Sequence, residues 1–409
     1  MPAPATLYLD AAATTPVRRA ALEAAWPYLT GEFGNPSSTH EPGLRAAAAL
    51  TDARTRVASV LRCRASEVVF TAGGTEADNL AIKGIALGEP RGRHVVTAAT
   101  EHEAVLESVD FLRRVHGFEV DFVPLDAQGV VTVEALLSVL RPDTTLVSLA
   151  YANNEIGTVQ QVAELAETAH RVGARFHTDA VQAAGRLPLD VRRLGVDALS
   201  FSGHKVGAPK GSGALFLRGG MPVEPVLHGG GQERGRRSGT ENLAFAVALA
   251  TALQAAEHER PAGDESGLTT DPDRDAFIAA VLTRVPGTAL TGHPERRIPG
   301  HASFVIDGVN GETVLLELER RGVVASSGSA CAAGRTEPSH VLTALGLPDD
   351  VASTALRFSW THASPADLGR AADALVESVV AVRGADPVRK AAVSANESGT
   401  LRERGEPID

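Results

Sequence analysis

The sequence predicts an α/β protein built on a mostly parallel sheet, followed by a smaller second lobe. Three observations carry this expectation. Between about Leu44 and Val206, short β-branched runs take turns with longer helical periods. From Glu257 to Asp275 the apolar period vanishes and Pro, Gly, Asp, Glu and Thr take over, as in a solvated loop near a domain boundary. Beyond that stretch, strand-like and helical segments resume. The length agrees, because 409 residues suggest two or three lobes of roughly 100–200 residues each.

The elements follow in chain order. Leu50, Ala53, Val57 and Val60 share one helical face, and Glu67 to Phe70 is strand-like. His94 to Thr97 is a second strand, a helix runs near Val133 to Leu140, and Leu146 to Ala150 is a third strand. Apolar runs end at Asp179 and at Ser202, each followed by turn residues. In the second lobe His301 to Asp307 and Thr354 to Trp360 are strands, and Glu312 to Arg321 is a helix. Ser364 as N-cap, Pro365 at the first helical position and Asp367 at the third open a last helix, whose Leu368, Ala371, Ala372, Leu375 and Val379 share a face. The chain from 384 to 409 loses all pattern and reads as a disordered tail. There is no internal repeat of 20–50 residues.

Composition excludes several classes. Hydrophobic residues make up 44% and charged residues 22%, as in a soluble globular enzyme. Lys and Arg total 39 against 50 Asp and Glu, and the net charge of -11 disfavours direct nucleic-acid binding or an anionic membrane. The longest apolar stretch, Ala244 to Leu253, is too short to span a bilayer, and the N-terminus lacks a secretory pattern. Two distant cysteines, Cys63 and Cys331, make neither a disulfide framework nor a zinc cluster. A reducing, cytoplasmic setting and no resident metal are expected.

Candidate chemistry begins at Ser202-Gly203-His204-Lys205, after a strand and before glycine-broken backbone. A lysine there can serve as a Schiff-base amine, although a surface lysine fits the same four residues. Asp179 ends the preceding strand. A buried carboxylate can keep the ring nitrogen of pyridoxal phosphate protonated, and an acid capping a turn is the alternative reading. Thr71 to Asp78 follows a strand and opens a helix, which suits either a phosphate cradle or a capping box formed by Thr75 and Asp78. The spacing matches neither a Walker loop nor GxGxxG.

A resemblance rests on nine blocks in order: Tyr8 to Pro16, Gly34 to Ser38, Gly74-Thr75-Glu76, Glu101-His102, Asn153 to Gly157, Asp179 with Gln182, Ser202 to Lys205, Arg237 to Thr240, and Ser326 to Cys331. From about residue 7 to 380 the chain resembles the NifS/IscS-type cysteine desulfurases of the class V aminotransferase family. That resemblance implies the type I fold of pyridoxal-phosphate enzymes: a large domain with a mostly parallel seven-stranded sheet and a smaller α/β C-terminal domain. The implied division is 15–257 for the cofactor domain, with 1–14 and 258–383 forming the small domain that carries the cysteine loop.

The resemblance also implies roles. Lys205 matches the cofactor-holding lysine, Asp179 the partner of the pyridine nitrogen, and Gln182 a contact to the phenolic oxygen. His102 matches the imidazole that stacks on the ring and relays protons. Gly74, Thr75, Ser202 and His204 match the phosphate cup, and Asn154 a contact to cofactor and substrate. Thr240 matches a residue reaching the phosphate from a neighbouring subunit, which implies a homodimer. Arg357 matches the arginine that clamps the carboxylate of L-cysteine. Cys331 matches the thiol that takes the substrate sulfur as a persulfide and hands it to an acceptor protein. That acceptor could be an iron–sulfur scaffold, a thiolation enzyme for tRNA or DNA, or a biosynthetic carrier.

Cys331 sits among Ser, Gly and Ala, in the form of the long-loop subgroup, whereas Cys63 reads as a buried, inert thiol. Two departures from the family pattern, Val206-Gly207-Ala208 and Trp360-Thr361-His362, fall on the pocket wall or the surface. An aminotransferase, a selenocysteine lyase and an idle scaffold are the rival readings.

Overall fold

The computed structural model describes residues 6–88, 91–260, 270–328 and 338–385. Its strands, in chain order, are β1 (Leu7–Tyr8), β2 (Val68–Thr71), β3 (His94–Thr97), β4 (Glu119–Phe122), β5 (Thr144–Ser148), β6 (Arg175–Asp179), β7 (Ala198–Ser202), β8 (Gly213–Leu217), β9 (Thr288–Leu290), β10 (His301–Ile306), β11 (Val323–Val324) and β12 (Leu356–Ser359).

Seven strands form one sheet in the order β2-β8-β7-β6-β5-β3-β4. From β7 to β4 every neighbouring pair is parallel, and β8 runs antiparallel to both β2 and β7. The mostly parallel α/β sheet expected from the alternation is therefore present. Strands β2, β3, β5, β7 and β8 are buried along their whole length, which explains why they read as continuous apolar runs. The edge strand β4 is different, with exposed Glu119 and half-buried Asp121 that blunt further pairing.

Side-chain alternation splits the sheet into two apolar faces. Val68, Phe70, Phe176, Phe201 and Phe216 join one core, with residues of helices Glu41–Leu61, Val162–Arg171 and Leu243–Glu259. Val69, Val95, Leu146, Leu215 and Leu217 join the other, with residues of helices Gly74–Gly88 and Glu103–His116. The apolar run Ala244 to Leu253 lies in helix Leu243–Glu259 and is largely buried in the first core. Among the described residues no helix is long and apolar enough to cross a membrane.

A separate core gathers Leu7 and Leu9 with Phe277, Phe304, Phe358, Trp360, Leu368, Leu375 and Val379. Its strands are the antiparallel set β12-β10-β9 and the parallel pair β1-β11. Phe277 meets Phe304, Phe358 and Trp360 edge-on at ring separations of 6.2, 5.3 and 5.8 Å. Helix Pro365–Ala385 starts as its cap residues require: Ser364 Oγ accepts the Asp367 N–H at 3.2 Å, and Asp367 Oδ2 accepts the Ser364 N–H at 3.1 Å.

Strand ends shift by one or two residues, as at β5 and β12, and the larger departures from the sequence reading are at the loop and the tail. Glu257 to Glu259 finish one helix and Pro272 to Asp275 begin the next, so the loop at 257–275 is shorter than composition suggested. Arg274 explains the error, because this charged residue is buried and donates to the carbonyl of Arg297 at 2.9 Å. Residues 384 and 385 are helical rather than tail, and 386–409 lie outside the described residues, as do 261–269.

Candidate active site

The carboxyl ends of the sheet strands converge on a cavity of about 290 Å³. Gly74, Thr75, His102, Asn154, Asp179, Gln182, Ser202, His204, Lys205 and Arg357 all line it, joined by Gly328. Thr240 lies elsewhere, exposed beside Arg237 and Glu241 on a smaller hollow floored by Phe70 and Leu249. Cys331 lies outside the described residues, whose last member before it, Gly328, is on the cavity wall.

Each side chain is placed by a local cause. Asp179 ends β6, and its Oδ1 accepts the Val181 N–H at 2.8 Å. Burial raises its pKa, while His102 and Lys205 pull it back down. β7 ends in a tight turn over Gly203–Lys205, where only glycine fits at 203, since a Cβ would come within 2.2 Å of Ser212 Oγ. That turn delivers Lys205 Nζ to the carbonyls of Ala13, at 2.8 Å, and Ala12. His204 holds Thr14 Oγ1 at 3.1 Å, and burial together with the charges of Lys205 and Lys210 lowers its pKa to about 4.

Gly74 lets the start of its helix approach the ends of β6 and β7: a Cβ there would lie 2.7 Å from Val181 Cγ2 and 3.4 Å from Ser202 Cβ. Thr75 and Ser202 therefore share one corner with the helix N-terminus, the positive end of its dipole. Of the two readings of this segment, the capping box of Thr75 and Asp78 does not form, since the helix already begins at Gly74. Asp78 is fully buried on the helix face shared with Ala81, Ile82 and Ile85, and Glu76 instead accepts the Ala72 N–H at 2.9 Å and the Arg237 Nε–H at 2.8 Å.

His102 caps helix Glu103–His116 by accepting the Ala104 N–H at Nδ1, 3.0 Å away, so the neutral ring carries its proton on Nε2. The Asn153 side chain ties its own turn, accepting from Glu155 and Ile156 and donating to Thr100 O, which presents Asn154 to the cavity. Gln182 donates to Ala12 O at 3.0 Å. Arg357 on β12 donates Nη1 to the carbonyls of Asn154 (3.0 Å) and Gly328 (3.2 Å), and Nη2 to Asp10 Oδ1 (2.8 Å).

Of three acids at this site, sequence reasoning gave no role to Asp10 and Glu101 and offered Asp78 only as part of a helix cap. Asp10 pairs with Arg357 across 347 positions of chain, which no local pattern reveals. Asp78 had a readable signal, since it falls on the apolar face of its helix. Glu101 is buried with its pKa pushed up to about 8, chiefly by burial, and accepts the Ala150 N–H at 3.0 Å. Beside them His177 is fully buried between Ser148 Oγ and Ser200 Oγ, at 2.9 and 2.8 Å, and burial lowers its pKa to about 3. Cys63 is not among the cavity-lining residues, and burial pushes its thiol up to about 12, as an inert cysteine requires.

Comparison with known proteins agrees with this arrangement. The model of the aminotransferase class-V family matches residues 7–367. The cysteine desulfurase IscS of Methanosarcina thermophila is 43% identical over 384 residues, covering 93% of this chain and 94% of the relative. Among solved structures, a NifS-like protein superposes with a TM-score of 0.81 at 33% identity, over 91% of this chain and 99% of that one. SspA in complex with cysteine superposes with a TM-score of 0.74 at 33% identity, over 87% and 98%. The chain therefore belongs to the aminotransferase class-V family, with its type I fold, and stands in it beside the proteins named cysteine desulfurases.

Proposed function

We propose that this protein is a pyridoxal-phosphate-dependent cysteine desulfurase, which converts L-cysteine to L-alanine and passes the sulfur to Cys331. The observation that carries the reading is the convergence of an amine, a buried carboxylate, an imidazole and a guanidinium on one cavity, whose lining includes Gly328, three positions before Cys331 in the sequence. The likeness to SspA, solved in complex with cysteine, supports the substrate.

The residues present fit the cofactor. Gly74 lets the helix N-terminus pack against the ends of β6 and β7, where Thr75, Ser202 and His204 line the cavity with donors for a phosphate. Asp179 would hold the ring nitrogen, whose positive charge would keep this buried acid ionised. Gln182 and Asn154 would contact the ring oxygen, and His102 would lie against the ring. When bound, pyridoxal phosphate supplies an electron sink for charge developing at the substrate Cα.

The chain's own groups do the rest. Arg357 holds the α-carboxylate and so fixes which face of Cα is presented. The Lys205 amine takes the proton from Cα and returns it. The Cys331 thiolate attacks the substrate sulfur; an S–S bond forms, the C–S bond breaks, and protonation of the carbon fragment yields alanine. The persulfide left on Cys331 is then open to an acceptor thiol, and an iron–sulfur scaffold or a thiolation enzyme is the class of acceptor that fits.

The reading extends to the assembly. Leu22, Trp26, Leu29 and Phe33 are 50, 65, 56 and 79% exposed on and just after helix Arg19–Thr30, an apolar face of the kind a homodimer covers. The exposed position of Thr240 suits a residue that completes a partner's phosphate site. A division into 15–257 and 1–14 with 258–383 follows the separate cores, and a cytoplasmic setting suits the reactive thiol. The test pairs two variants. Lys205→Ala loses the covalent cofactor chromophore, whereas Cys331→Ser retains it and forms alanine at least ~100-fold more slowly. Full turnover by Cys331→Ser refutes the proposal.

A further inference from the structure

Asp10 is the one acid in direct contact with the guanidinium of Arg357 among the described residues, and both side chains are largely buried, at 16 and 3% exposure. Its backbone is stitched to the strand that carries Arg357: Asp10 bridges Ser359, Ala11 donates to Ser359 O at 2.9 Å, and Ser359 donates to Leu9 O at 2.8 Å. Two residues further on, the carbonyls of Ala12 and Ala13 hold Lys205. One short segment thus spans the two groups that the proposed reaction needs at either side of Cα.

The donors of Arg357 are unevenly used. Nη1 serves two carbonyls and Nη2 serves Asp10, but the buried Nε has no partner among the described residues. A buried guanidinium requires a counter-charge at all times, and a buried N–H requires an acceptor. Asp10 meets the first requirement, and nothing in the resting arrangement meets the second. A ligand carboxylate can meet both, since Nε–H and the remaining Nη2 hydrogen offer it a two-pronged contact.

We propose that Asp10 is the resting counterion of Arg357, from which an incoming carboxylate takes over the guanidinium, and that Asp10 thereby limits how tightly carboxylate ligands are held. The inference rests on the reading of Arg357 as the carboxylate clamp. Asp10 acts only through Arg357 and is a positioning residue. Its charge keeps the clamp neutral between turnovers and keeps the product alanine from lingering.

The test uses the holoenzyme and its Asp10→Asn and Asp10→Ala variants, with binding of L-alanine and of cysteamine followed by the cofactor's absorption. Cysteamine carries the amine and thiol of cysteine but no carboxylate. Asp10→Asn keeps an oxygen for the Nη2–H and removes the charge, so it is expected to bind L-alanine on the order of tenfold more tightly and cysteamine as wild type does. The KM for L-cysteine should fall with it. Asp10→Ala is also expected to bind L-alanine more tightly than wild type. Weaker or unchanged alanine binding in Asp10→Asn overturns the proposal, as does an equal shift for cysteamine. Alanine binding involves no sulfur chemistry, so a wild-type enzyme that released no alanine from cysteine would sink the desulfurase reading and leave this comparison intact.

Discussion

Lys205 and Asp179 come from neighbouring parallel strands, and their positions follow from where each strand runs out of apolar residues. Around them lies a floor of buried acids, Asp78, Glu101 and Asp179, whose burial raises all three pKa values. Glu101 gives the clearest consequence. Its folded pKa of about 8 exceeds that of an unfolded carboxyl, so the folded chain binds the proton more tightly. Relative stability is therefore full below the unfolded carboxyl's range and is lost as pH rises to about 8, above which the loss is constant. Glu101→Gln removes that loss while keeping an acceptor for the Ala150 N–H. In urea unfolding of the cofactor-free chain, the variant should match wild type near pH 4 and exceed it by roughly 2 kcal/mol or more at pH 8.5. A pH-independent difference would show that Glu101 does not retain its proton.

At the scale of elements, the loop before Thr240 is held by an ion pair rather than by secondary structure. Arg54 on helix Glu41–Leu61 donates to both oxygens of Glu233, at 2.6 and 2.8 Å, with both side chains buried. Glu233 and Arg234 have positive φ values of 49° and 60°, which this anchor sustains. Glu233→Ala leaves a buried guanidinium without its partner and should cost roughly 3–5 kcal/mol in urea unfolding, whereas replacement of the exposed Arg19–Glu23 pair should cost under about 1 kcal/mol. What was legible in the sequence follows the same divide. Five of the seven strands of the main sheet were readable because burial on both faces leaves apolar runs, whereas β4 and β8 were not placed, and the helix at Ser364 was readable because its cap is local. For Asp78 local capping logic and the helix face gave opposite answers, and tertiary burial prevailed. The Asp10–Arg357 contact joins the two ends of the chain, where neither period nor spacing carries information.

At the scale of the whole molecule, the cavity is assembled from the main sheet, the Leu9–Ala13 segment and β12, and so lies where two apolar cores meet. The exposed face made by Leu22, Trp26, Leu29 and Phe33 is the surface that the proposed homodimer would cover. Trp26→Glu combined with Phe33→Glu should shift the protein from dimer to monomer in sedimentation at micromolar concentration and lower turnover, because Thr240 then reaches no partner. A variant that stays dimeric and fully active would place the interface elsewhere. The central claim is that sulfur leaves cysteine by way of one thiol. Mass spectrometry of peptides from holoenzyme treated with L-cysteine, without an acceptor, tests it most directly. One additional sulfur atom on the Cys331 peptide, in step with alanine formed in the first turnover, is the expected result. Alanine released with Cys331 unmodified, or the sulfur found on Cys63, would contradict it.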